Sequence, residues 1–144
     1  MAGTGGAYVL SKGFPVLSTY NSSNAAGVTP FRVVQLATTG LIDLSANATG
    51  VPLGVVMEAI DAAKVATGKA VANVQMSGIV PVRVGVATSI VIGSRVMSDA
   101  TGGVIIGATA ASFILGTVVG ITGTVATGDL IEVLLAGTAT KWAS

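Results

Sequence analysis

Residues 70–84, AVANVQMSGIVPVRV, decide the fold. Two short runs rich in Val and Ile flank Ser77-Gly78, and a Ser-Gly pair between such runs signals a bend. The stretch is expected to form a hairpin, with strands at 70–76 and 79–84. Pro81 has no N–H to give to a ladder, so it belongs on a sheet edge or beside a bulge.

The same grammar extends in both directions. Runs at 31–36 (FRVVQL), 41–44 (LIDL), 53–58 (LGVVME), 90–97 (IVIGSRVM), 104–106 (VII), 114–121 (ILGTVVGI) and 130–135 (LIEVLL) read as further strands. Strands recur roughly every ten residues, as in a barrel or compact sandwich. Residues 59–70, AIDAAKVATGKA, hold enough Ala for one helical turn, but Thr67-Gly68 closes it early; a loop or short helix is expected. Asp99-Ala-Thr-Gly-Gly103 reads as an Asp/Gly turn. Gly54, Gly68, Gly78, Gly93, Gly103 and Gly128 are expected at structural turns beside Asp99. The fold class is all-β: a small β-barrel or compact β-sandwich, β-tulip-like, with an extended N-terminal arm. Residues 1–30 form the arm and 31–144 the β-rich domain.

The arm is read from its composition. GTGGA, STYNSSNAAG and VTP are small and polar, with spaced anchors at Tyr8, Phe14 and Tyr20. Three of six aromatics in such a segment suit a strand that orders against a partner; a frayed terminus has no need of them. Trp142, two residues from the end of this sequence, likewise needs a surface to pack on.

The chain carries an internal repeat. Residues 33–59 resemble 95–121, with Gly40-Leu41-Ile42 matching Gly103-Val104-Ile105 and Gly54 matching Gly116. Each half then reaches Thr-Gly (Thr67-Gly68, Thr127-Gly128) and a strand ending in Gly, NVQMSG or EVLLAG. Two similar β-motifs packed face to face around one core are expected; chance similarity in a Gly/Val/Thr-rich chain is the rival.

Composition narrows function. In 144 residues there are no His, no Cys, seven Lys/Arg and six Asp/Glu, while 51% are hydrophobic and 20 are Gly. The mean hydropathy is +0.85. Charged residues are 9%, against about 25% in ordinary globular proteins. A surface so poor in charge is covered by Ser, Thr and Gly, buried in an assembly, or both. Without His or Cys there is no base–nucleophile pair for a hydrolase, no thiolate metal site and no disulfide. Neither GxGxxG before a helix nor a Walker A motif appears, and Asp129 with Glu132 is too sparse for calcium. No catalytic, cofactor or metal residues are expected. The basic residues are dispersed, so no direct nucleic-acid binding is indicated. The apolar runs are too short for a membrane helix. The start, MAGTGGAYVLSKGF, has no basic segment ahead of a long apolar one, so a product made and used without export is expected.

The stretches GVPLGVVMEAIDAAKVATGKAVANVQMSGIVPVRVG, IVIGSRVMSDATGGVII and TGDLIEVLLAG, taken in order, resemble the capsid cement, or head decoration, proteins of tailed bacteriophages. Gly54, Gly68, Gly78, Gly93, Asp99, Gly103 and Gly128 carry the match, over roughly residues 31–137. The resemblance implies a virion structural protein made in the host cytoplasm. It would sit on the capsid exterior between major capsid proteins, as a homotrimer, and stabilise the mature head. It implies no cofactor and no catalytic residue. An N-terminal arm in such proteins adds a strand to the capsid protein, which makes Tyr8, Phe14, Tyr20 and Trp142 the capsid-contact candidates. The Ser/Asn-rich arm is where this chain departs from the pattern. The alternatives are another self-assembling virion part (a tail tube, minor shell or head fibre protein), a carbohydrate-binding β-module, and an enzyme. Six scattered aromatics make a poor sugar platform, and the missing nucleophile and base disfavour catalysis.

Overall fold

The computed structural model describes residues 14–15, 27–36, 41–45, 51–107 and 113–141. In chain order the elements are β1 (Phe14–Pro15), β2 (Val33–Leu36), β3 (Ile42–Leu44), β4 (Pro52–Val56), α1 (Ala62–Ala66), β5 (Asn73–Gln75), β6 (Ile79–Arg83), β7 (Thr88–Ile90), β8 (Arg95–Ser98), β9 (Val104–Ile106), β10 (Phe113–Val118), β11 (Gly123–Val125) and β12 (Leu130–Lys141). They form two five-stranded sheets, β1-β5-β4-β2-β3 and β6-β12-β10-β8-β9, and a two-stranded ribbon, β11-β7. Every strand pair is antiparallel.

The two large sheets are the internal repeat made visible. Both run in the same order, so β2, β3, β4 and β5 of unit one take the places of β8, β9, β10 and β12 of unit two. Even single hydrogen bonds recur. Phe31 N donates to Val56 O and Gly93 N to Val118 O; Val56 N donates to Arg32 O and Val118 N to Ser94 O. Gly54 faces Val74 and the Gln75 carbonyl, and Gly116 faces Val133 and the Leu134 carbonyl; a Cβ at either position would strike that backbone oxygen. Gly54 was expected at a turn, yet it lies inside β4, where close approach to β5 demands the missing side chain. The edge strands correspond as well. Pro15 pairs opposite Asn73, and Pro81 opposite Glu132 at the matching position of the repeat.

Of the expected barrel or compact sandwich, the described residues show a mostly β fold of three antiparallel sheets, with no sheet closed into a barrel by a strand ladder. Beyond the strand pairing, one parallel bridge, Val84 to Val104, joins the opposite edges of sheet two, without a strand ladder. The expected single core is two. Val28, Val34, Ile42, Val56, Ile60, Ala72 and Val74 form one cluster. Ile90, Val96, Val104, Val118, Ile131 and Val133 belong to the other, with Val80, Val82 and Val125. Val33 and Val55 of unit one are fully buried in the cluster of unit two and tie the units together. Ser45 and Ser98, both buried, share a 2.7 Å hydrogen bond across the same seam. Each unit therefore keeps core of its own, and the two meet at Val33, Val55 and the Ser45–Ser98 bond.

The expected hairpin at 70–84 is also corrected. Ser77-Gly78 does bend the chain, with Gly78 at φ +83°. However, β5 pairs with β1 and β4, while β6 crosses into the other sheet and pairs with β12. Both sides of β5 are already occupied. β6 is an edge strand, as Pro81 requires. Arg83 N points away from β12 to Phe31 O, and Pro81, two residues earlier, turns its missing donor the same outward way. The run 90–97 splits at a turn, with Gly93 at φ +93°, into β7 and β8 of different sheets. α1 occupies the Ala-rich stretch, capped by Asp61, whose Oδ1 accepts from Ala63 N at 2.8 Å. β11 went unread in the sequence.

β1 lies within the stretch expected as an arm and pairs with β5 of its own chain; Val28 is likewise bridged to Ile60. Residues 1–13 and 16–26 lie outside the described residues, and so do Tyr8, Tyr20 and Trp142.

Candidate interaction surfaces

Several charged residues build turns or tie strands. Asp99 Oδ1 accepts from Thr101 N (2.6 Å), Thr101 Oγ1 (2.8 Å) and Gly103 N (2.9 Å), and Asp99 N donates to Gly103 O. This closes the β8–β9 connection. Asp129 Oδ2 accepts from Ala126 N, Asp43 Oδ1 from Leu44 N, and Glu58 Oε1 from Asn73 Nδ2. Arg83 is tied to the backbone: its Nε donates to Pro30 O and its Nη1 to Gly128 O. Among the described residues no group of three or more His, Cys, Asp or Glu is arranged to hold a metal. Nor does any buried side-chain oxygen or nitrogen among the described residues lack a partner.

The other glycines singled out by sequence take varied places. Gly68 and Gly128 have φ of +70° and +93° and follow α1 and β11 respectively. Gly103 packs against Gly85 and Asp99 with no room for a Cβ. Phe14 is in β1, in register with Val74.

Two exposed apolar surfaces stand out. The first is the outer face of β6 and β12. Strand alternation turns Val80, Val82, Ile131 and Val133 inward and Ile79, Leu130 and Leu134 outward. Ile79 lies directly opposite Leu134, an aliphatic pair across the strands in the open, while Leu130 lies opposite Arg83 and Glu132 opposite Pro81. The second is at one end of the ribbon. Val91 and Ile92 are 57% and 58% exposed, beside Ile121 at 38%. Ile92 N donates to Thr122 Oγ1, which brings the two loops together.

Sequence reading missed both surfaces, having sought its contacts in aromatics. The signal was there for the first: IVPVRV and LIEVLL are apolar on alternate positions and partly apolar on the rest, more than one buried face uses. For the second, the turn at Gly93 had to be known before Val91 and Ile92 left their strand.

The architecture is thus a duplicated, antiparallel β-unit with apolar surface left open. No protein-family model and no curated protein sequence matches this chain. Among solved structures it is similar to the N base of the head fiber gp8.5 of bacteriophage phi29, with a TM-score of 0.56 and 15% sequence identity. The match covers 85% of this chain and 95% of that one, so the likeness is of whole fold to whole fold.

Proposed function

We propose that this chain is a non-catalytic structural protein of a tailed-phage virion, attached to the outside of the head as the base of a fibre or a similar projection. The observation that carries the reading is the shared fold with a phage head-fibre base over 85% of the chain. The composition agrees with it: there is no His or Cys, and Asp61, Asp99 and Asp129 are engaged in local caps and turns. Attachment would use the outer face of β6 and β12, where Ile79, Leu130 and Leu134 offer apolar contact. The protein would be made in the host cytoplasm and bind the major capsid protein as a homo-oligomer, a trimer in the form the cement resemblance implies. Residues 1–13 would extend this contact by adding a strand to the capsid protein.

Cement and fibre base are separable roles, and the structural neighbour favours the fibre base. Purified protein is mixed with mature heads stripped of their projections, and the heads are imaged and heated. Binding at discrete exterior sites without a change in heat resistance supports the fibre base. Binding that raises heat resistance supports cement instead. Failure to bind any head surface overturns both. Deleting residues 1–12 leaves β1 in place and is expected to weaken attachment while preserving the fold; unchanged attachment removes the arm from the account.

A further inference from the structure

We propose that Pro81, with Pro15 at the matched position of the repeat, guards the sheet edges: it keeps a second copy of this chain from adding strands to them, so that copies meet only through side-chain surfaces. This goes beyond the attachment reading above and does not rest on it.

Along an antiparallel strand, successive residues turn their N–H and C=O alternately toward the partner strand and away from it. In β6, Val84 N donates to Asp129 O and Gly78 O accepts from Leu135 N, so the even positions 78–84 face β12. Ile79, Pro81 and Arg83 therefore turn their backbone outward. Pro81 has no N–H, and Arg83 N already donates to Phe31 O at 3.0 Å. No two successive outward positions hold a donor to offer, so an approaching strand finds no ladder to join. β1 is closed by the same device. Asn73 O accepts from Met57 N, next to β4, so Val74 turns its backbone the other way, to β1. Phe14 is in register with Val74 and pairs with it, which leaves the backbone of Pro15 turned outward.

The remaining edges of the two large sheets, β3 and β9, are blocked by other means. Ser45 N donates to Val33 O, so Leu44, one residue earlier, turns its N–H outward; there it donates to Asp43 Oδ1 at 2.8 Å. In β9, Val104 O faces away from β8 and accepts from Gly85 N at 2.8 Å, just past the end of β6. β6 has the most to guard. It is the longest of these edge strands, five residues against two or three. Ile79 is 56% exposed, opposite Leu134 at 45%. An apolar edge of this kind is a template for edge-to-edge joining unless something interrupts it. An arm that adds a strand to the capsid protein would otherwise find an acceptor in its own kind.

The test is to put the missing donor back in the full chain and follow its mass by sedimentation, with far-UV circular dichroism as the check on folding. Wild type is expected to keep a bounded mass as concentration is raised. Pro81→Thr supplies an outward N–H and a side chain suited to strands. It is expected to keep a folded β spectrum while its mass rises with concentration. Val33→Ala, weakened in the core with both prolines in place, is expected to keep the wild-type mass. A Pro81→Thr variant of wild-type mass at every concentration overturns the proposal, as does a wild type whose mass rises without limit. A Val33→Ala variant that assembles as Pro81→Thr does overturns it too, because assembly then follows from lost stability and not from an opened edge. If Pro81→Thr does not fold, Pro15→Thr decides on the matched edge: growth with concentration supports the guard, and wild-type mass overturns it.

Discussion

Unit one and unit two share a strand order, a pair of mid-strand glycines and a set of repeated backbone bonds, yet their other faces have diverged. At matched positions unit one carries Val33 and Val55, fully buried against unit two, whereas unit two carries Arg95, which is exposed, and Thr117, which is half-buried. The relation is head to tail: one unit gives a face and the other receives it. In unit one, α1 follows Ile60; in unit two, the corresponding stretch forms β11, which pairs with β7 as a ribbon. Duplication therefore supplied two copies of a sheet, and substitution on one face decided which copy is covered and which remains open. Contacts of this heterologous kind either close into rings or run on.

The largest effect expected on this comparison comes from the glycines the units share. Gly116→Val would drive a side chain into the Leu134 carbonyl and the Val133 side chain in the middle of sheet two. Overpacking ordinarily costs about 1–3 kcal/mol and sometimes more. Here the obstacle is backbone in a central strand, so the loss is expected at or beyond the top of that range. Gly54→Val should behave alike in sheet one. Because Val33 and Val55 belong to the other unit's core, each variant should unfold in one transition followed by circular dichroism in urea. Two separate transitions would show that the units are energetically independent and break the comparison.

The divergent face gives the next test. Val33→Ala is expected to cost about 2 kcal/mol, the scale of a buried Val side chain. Arg95→Ala, at the matched exposed position, is expected to cost less than about 1 kcal/mol. Equal losses in urea midpoints would mean that the two faces do not differ as their burial indicates.

How much of this was legible follows the same contrast. The repeat was visible because spacing survives in glycines that the backbone cannot replace, Gly54 and Gly116 among them. α1 was legible from its Ala content and the Thr67-Gly68 stop. What failed was anything that needed to know which strand lies beside which. Ser77-Gly78 announces a bend, but a bend serves a crossover between sheets as well as a hairpin. Ile-Val-Ile-Gly at 90–93 reads as strand by composition, and only the positive φ of Gly93 turns it into a corner. β11 is three residues of Gly, Thr and Val, too short for periodicity to speak. The exposed surfaces were hidden for a related reason: burial belongs to the partner face, so Val33 and Ile92 look equally like core in one dimension.

Turn chemistry should matter next. Asp99→Ala removes the acceptor for Thr101 N and Gly103 N and for the Thr101 hydroxyl. Half-exposed bonds to a charged acceptor are each worth about 1–2 kcal/mol at most, and water replaces part of them. A net loss of about 1.5 kcal/mol is expected. Asp99→Asn, which keeps one acceptor oxygen, should recover more than half of it. If Asn and Ala lose the same amount, the turn is held by the close packing of Gly85 against Gly103 and not by the carboxylate.

The smallest effect should fall on α1, the element that unit two lacks. Asp61 caps it through a bond to Ala63 N, at an exposed site. Replacing an N-cap Asp by Ala costs about 0.5–2 kcal/mol. A five-residue helix with no fully buried residue can transmit only the lower part of that to the fold. Asp61→Ala is therefore expected to lower stability by about 0.5 kcal/mol in urea titration, with Val65 and Ile60 still packed on the cluster of unit one. A loss above about 1.5 kcal/mol, comparable to removing a buried methyl group or two, would mean that α1 seals that cluster. Unit one would then owe its closed face to the helix, as unit two owes part of its own to the ribbon.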